Sequence, residues 1–120
     1  MTFPVEIVLK GRDYAVTESI VVPSGDAPAW NDALVHQMLV EILRAIGRVE
    51  NPEVAADRPV FLHGFSWIVE PMDGRVVLAI EMPMGAAVAG PFDVEQADLD
   101  AVVGRVIRAD RQRLAPDTIH

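Results

Sequence analysis

The chain contains no cysteine, three histidines, and a single lysine, Lys10, among its ten basic residues. The absence of cysteine excludes disulfide bonds, thiolate metal sites and cysteine nucleophiles together. No apolar run approaches the roughly 20 residues that a membrane-spanning helix needs. The first residues lack a basic segment followed by an apolar one, so no secretory signal is indicated. We therefore expect a cytoplasmic protein with no membrane partner.

Acidic residues outnumber basic ones by 18 to 10, which gives a formal net charge of −8. A nucleic-acid-binding protein needs clustered lysine and arginine to neutralise phosphates, so nucleic acid is not an expected partner. The balance is compatible with a protein partner or with solubility alone. The preference for Arg, Ala, Val, Asp and Gly suggests a GC-rich bacterial genome. A chain of 120 residues that is 51% hydrophobic predicts one folded domain over residues 1–120, with a frayed tail at 115–120.

Familiar catalytic and cofactor motifs are missing from the sequence. There is no His-x-x-x-His pair, no phosphate-binding glycine loop with its lysine, and no Gly-x-Ser-x-Gly elbow around Ser66. Carboxylates are plentiful but scattered, and those near the start of the second predicted helix suit its dipole. We therefore predict no catalytic residue, no metal and no cofactor, and we expect a protein that is not an enzyme.

The strongest structural signal is a β-hairpin over residues 60–82, VFLHGFSWIVEPMDGRVVLAIEM. Strand side chains alternate between the two faces of a sheet, so each half of the hairpin has one heavy apolar side. The turn falls at residues 71–74 and contains Asp73 and Gly74, either as a four-residue loop or as a two-residue turn. The heavy side is predicted to carry Phe61, His63, Phe65, Trp67, Val69, Val76, Leu78, Ile80 and Met82.

The remaining chain predicts two more strands and two helices. Apolar and polar residues alternate from Phe3 to Leu9 and from 13 to 22, which predicts a hairpin. Apolar residues spaced three and four apart predict helices over 27–49 and 94–114. Residues 83–91 are expected to form a loop. The order is ββαββα, which favours an α+β fold of two layers with a four-stranded, mostly antiparallel sheet. The sheet order 2-1-4-3 would place the first and fourth strands side by side as a parallel pair. In element order this resembles the β-grasp group with an additional C-terminal helix.

The reverse side of the predicted sheet is mixed in character. Charged residues surround it, but Val8, Ile68, Val77 and Ala79 form an apolar centre. Two arrangements are open at this point. Either the second helix crosses to this side and covers it, or both helices share the other side and leave this one free as a homodimer or partner surface.

Two functional hypotheses follow, from different classes. The first is a small, acidic, non-catalytic binding protein that self-associates or binds another protein through the reverse side of the sheet or the 83–91 loop. The second is a small-molecule-binding protein or small enzyme with a pocket around His63, Phe65 and Trp67. The first hypothesis predicts that the contact residues are Ile68, Val77, Ala79, Met82 and Met84.

Overall fold

A computed structural model describes residues 1–23, 30–53 and 60–114, with the backbone alone for residues 113 and 114. Five strands and two helices follow one another as ββαβββα. The predicted N-terminal helix turn at 27–29 and the predicted frayed tail at 115–120 lie outside the described residues. The elements are β1 Thr2–Leu9, β2 Val16–Val21, α1 Asp32–Glu50, β3 Ser66–Met72, β4 Arg75–Met82, β5 Gly85–Phe92 and α2 Gln96–Leu114.

The sheet has the order β2-β1-β5-β4-β3, and every neighbouring pair is antiparallel. The α+β class is therefore confirmed, but the prediction of four strands is wrong. The order 2-1-4-3 with a parallel pair between the first and fourth strands is also wrong, because β5 lies between β1 and β4. The predicted resemblance to the β-grasp group depended on that order, so the structure does not support it.

The additional strand is the segment that was expected to be a loop at residues 83–91. It pairs with β1 on one side and with β4 on the other, and Ala87 and Ala89 on its inner side are buried. Its residues are small and weakly periodic, so alternation of large and polar side chains does not reveal it. At the start of β5, Gly85 pairs with Leu9 of β1 and with Met82 of β4.

The central hairpin is shorter than predicted. Its turn is the two-residue alternative, with Asp73 and Gly74 at positive φ between Met72 and Arg75, as a type I′ turn requires. Strand β3 begins at Ser66 rather than at residue 60. Ahead of it, Leu62 is fully buried whereas Phe61 and His63 are exposed, so the predicted placement of those two on the heavy apolar side is wrong.

Both helices pack against the same side of the sheet, which we call the inner face. Buried residues of α1 and α2 belong to one apolar cluster with the inward side chains of all five strands. Gln96 of α2 donates from Nε2 to the carbonyl oxygen of Val69 at 2.9 Å. Gly104 of the same helix faces the ring of Trp67. The structure therefore selects the arrangement in which both helices share one side, and neither described helix lies on the outer face.

A bidentate ion pair joins the two helices at the protein surface. The guanidinium of Arg105 donates from Nε to both carboxylate oxygens of Asp32, at 2.9 and 3.0 Å. This hydrogen bonding lowers the pKa of Asp32 and raises the pKa of Arg105. Of the two described helices, neither combines the length and the hydropathy that a membrane-crossing helix requires.

We predict that Gly85→Ala destabilises the protein by about 2 kcal/mol, because the added methyl group has no space. A Cβ at this position would collide with the carbonyl oxygen of Val8 and would lie 2.9 Å from the Cα of Leu9, both of which are backbone atoms of the paired strand. Urea denaturation measures the change in the free energy of unfolding.

The matched control is Gly47→Ala in α1. A Cβ there meets no atom within 4 Å, so the substitution should stabilise the helix by about 0.5–1 kcal/mol. Equal effects of the two substitutions would contradict the close approach of β5 to β1.

Candidate functional site

The outer face of the sheet carries a contiguous apolar area on its three central strands and on β3. Cross-strand pairing places Ile68, Ala79 and Val88 in one row, and Glu6 of β1 continues that row. The Ile68 side chain is 54% exposed and the Val88 side chain 42% exposed. Antiparallel sheets that face water on one side normally alternate apolar and polar residues, so this row departs from the usual pattern.

The next row of the outer face contains Ala86 and Val8 beside Glu81 and Ser66. Four outward apolar residues of these rows border a shallow groove of about 310 Å³: Ile68, Ala79, Ala86 and Val88. We call this surface the apolar patch. Its members are Val8, Ile68, Val77, Ala79, Ala86 and Val88.

The predicted contact residues divide between two settings. Ile68, Val77 and Ala79 lie in the apolar patch, as their alternation predicted. Met82 packs half-buried against the core on the inner side, and Met84 lies exposed in the turn between β4 and β5. Sequence reasoning missed Ala86 and Val88, because both lie in the segment that was expected to be a loop.

Charges of opposite sign mark the two ends of the outer side of β4. Arg75 begins the strand and Glu81 lies near its end, with Val77 and Ala79 between them on the same side. In the described part of the chain, neither charge forms an ion pair within 4 Å. Strand β4 therefore presents a positive end, an apolar middle and a negative end.

A second feature is an open cleft of about 850 Å³ at the end of the sheet where β1 finishes and β5 begins. Three cationic side chains line it: Lys10 and Arg12 from the turn after β1, and Arg111 from the last turns of α2. We call it the basic cleft. Its other lining residues include Val8, Gly11, Gly64, Phe65, Ser66, Glu81, Met82, Gly85 and Ala86.

The three residues of the predicted small-molecule pocket have different settings. Phe65 is half-buried and lines the basic cleft. Trp67 is half-buried and packs on Gly104 of α2. The imidazole of His63 is exposed and stacks on Phe61, with 5.8 Å between the ring centroids.

One buried carboxylate was missed by the motif search. Asp110 of α2 is only 3% exposed, and its Oδ2 accepts a hydrogen bond from the backbone N–H of Leu62 at 2.9 Å. The Nε2 of His36 on α1 lies 3.7 Å from its Oδ1. The signal was present in the sequence, because Asp110 follows Val103 and Val106 at the spacing of the buried stripe of α2. Its position ties the segment before β3 to both helices.

Among the described residues, no three His, Asp or Glu side chains gather as they would to hold a metal ion. The chain matches no family model, and searches among curated proteins and among solved structures found no match. The apolar patch and the basic cleft are therefore the two surfaces of the described chain from which a function can be inferred.

We predict that Asp110→Ala lowers the free energy of unfolding by about 2–3 kcal/mol. The buried N–H of Leu62 would lose its acceptor, and an unsatisfied buried donor costs about 1–3 kcal/mol in addition to the cavity left by the side chain. Thermal or urea unfolding provides the measurement.

Asp100→Ala is the matched control, because Asp100 is exposed on the same helix and surface substitutions usually change stability by less than about 0.5 kcal/mol. If the two variants had equal stability, the structural role of Asp110 would be refuted.

Proposed function

We propose that this chain is a small, acidic, non-catalytic binding protein that self-associates through the apolar patch. The observation that carries the proposal is that both helices cover the inner face and leave four strands with outward apolar side chains at their centre. Contiguous exposed apolar areas with a polar rim are typical of interaction surfaces. Single exposed apolar residues are common, but cross-strand neighbours such as Ile68, Ala79 and Val88 form a continuous area.

The charge pattern of β4 favours a second copy of the chain as the occupant. Two copies can face each other with their outer sheet faces in contact and a two-fold axis between the sheets. If this axis is perpendicular to the strands and passes midway between Val77 and Ala79, Glu81 of each copy lies opposite Arg75 of the other. The same operation packs Val77 of one copy against Ala79 of its partner. An isologous interface must be self-complementary in this manner, with residue i opposite j and j opposite i.

The dimensions of the outer face are compatible with such a dimer. Strands about 4.8 Å apart, with a rise of about 3.3 Å per residue, give a five-stranded sheet of this length a face of roughly 500 Å² in plan. Protruding side chains make the solvent-accessible area of this face larger than its flat area. The accessible area is therefore of the same order as the about 800 Å² that each partner buries in a standard interface. Face-to-face packing of two sheets is a common way to bury such surfaces.

We predict that Val88→Glu abolishes self-association at concentrations where the unsubstituted protein is dimeric. A carboxylate buried at the centre of the patch without a partner costs about 3 kcal/mol or more, which corresponds to over 100-fold in the dissociation constant. Sedimentation equilibrium distinguishes the chain of 13.1 kDa from a species of twice that mass.

Ala101→Glu is the matched control, because it adds the same charge at an exposed position of α2 on the helical side. It should leave the dissociation constant unchanged. A monomeric unsubstituted protein at millimolar concentration, or equal weakening by both substitutions, would overturn the proposal.

A charge exchange tests the orientation of the two copies. Glu81→Arg alone and Arg75→Glu alone should each weaken association about tenfold, since like charges would then face each other across the two-fold axis. The double variant restores opposite charges and should recover most of the lost affinity. Double-mutant analysis by sedimentation gives the coupling, and a double variant no better than the sum of the single ones would refute this axis.

A further inference from the structure

We propose that the basic cleft binds a small organic anion, with its negative group held by Lys10, Arg12 and Arg111 and its apolar body against Phe65. The cleft adjoins the apolar patch and shares Val8, Ala86 and Glu81 with the outer face, but its proposed ligand is argued from the cationic side chains and does not require self-association. It assigns a ligand class to the region that contains Phe65, one residue of the predicted pocket.

Three positively charged side chains line one cleft of a protein whose formal net charge is −8. Elsewhere in the described chain, Arg44, Arg48 and Arg105 are each paired with a carboxylate, whereas Arg75 and Arg108 form no ion pair but do not line this cleft with the other cations. The three cations of the cleft form no such pair among the described residues. The guanidinium of Arg12 also lies 6.0 Å from the centroid of the Tyr14 ring. Since all three cations line one cleft, an anion bound there would be favoured electrostatically.

The charge balance within the cleft itself is positive. Three cations and one carboxylate, Glu81, line it, which leaves a net positive charge of two. Arginine and lysine are the usual ligands of carboxylate and phosphate groups, and arginine offers a planar fork of donors. Glu81 and the hydroxyl of Ser66 face each other across paired strands, and they are placed to accept from or donate to a polar substituent of the ligand.

Part of the cleft lining is apolar. Phe65 and Met82 are half-buried, so each presents part of its side chain to the cleft while the rest packs against the core. The cleft volume of about 850 Å³ falls within the range of about 300–1,000 Å³ that is typical of small-molecule sites. Inorganic ions alone would leave the apolar wall unused, which favours an organic anion.

Binding can be tested with three probes that separate the two parts of the proposed ligand. Phenyl phosphate has both the anion and the apolar ring, inorganic phosphate has the anion alone, and phenol has the ring alone. In NMR titrations at low salt, phenyl phosphate should give saturable shifts at residues of the cleft and bind at least tenfold more tightly than either other probe. Affinity should fall as salt is raised, because the ionic contacts are exposed.

Substitutions identify the side chains responsible. Lys10→Gln and Arg111→Gln should each weaken phenyl phosphate binding about tenfold, as the loss of one charge-assisted hydrogen bond does. Arg108→Gln is the matched control, since Arg108 is exposed one turn earlier on the same helix and does not line the cleft, and it should bind as tightly as the unsubstituted protein. Phe65→Leu should weaken phenyl phosphate but leave inorganic phosphate unchanged.

Several results would overturn the inference. They are the absence of saturable binding of phenyl phosphate below about 10 mM, equal binding of inorganic phosphate or phenol, and equal weakening by Arg108→Gln and Arg111→Gln. Each variant is first checked for a native melting transition. The Val88→Glu variant, whose substituted residue lies outside the basic cleft, should retain phenyl phosphate binding, so that loss of self-association and loss of the anion site are separate outcomes.

Discussion

The architecture depends on the insertion of β5, a strand of small residues, between β1 and β4. Its pairing on both sides joins the N-terminal hairpin to the β3–β4 hairpin as one antiparallel sheet. The chain between β2 and β3 must then cross from one edge of the sheet to the other, and α1 does so over the inner face. Because α2 packs beside α1 on the same side, both helices cover the inner face, and no described element covers the outer face. The close approach at Gly85 is where this constraint is tightest.

The buried Asp110 connects the fold with the basic cleft. Its carboxylate holds the N–H of Leu62, and that segment leads within a few residues to Phe65, which lines the cleft. The next residue of the helix, Arg111, lies at the same cleft. The hydrogen bond between Asp110 and Leu62 therefore positions the end of α2 relative to the start of β3. The same contact positions both Phe65 and Arg111, which line the cleft.

Periodicity predicted most of the helices and strands because large apolar side chains mark their buried sides. The β3–β4 hairpin and the outward positions of Ile68, Val77 and Ala79 follow from alternation alone. Strand β5 could not be found in this manner, since its alanines and glycines give little contrast in hydrophobicity between its two faces. The predicted sheet order was wrong for the same reason, because it left β5 out. His63 was misplaced because the alternation was extended through Gly64 into an irregular segment. The presence of Lys10, Arg12 and Arg111 along one cleft depends on the packing of α2 against the sheet, which local sequence patterns do not contain.

The central claim is that two copies of this chain pack their outer sheet faces together. The most direct measurement is an isotope-filtered NOE experiment on a mixture of labelled and unlabelled protein, which detects only contacts between copies. The proposed axis predicts intermolecular NOEs between the methyl groups of Val77 and Ala79, with others from Val88. Intermolecular NOEs that arise only from α1 or α2, or their complete absence at millimolar concentration, would contradict the account.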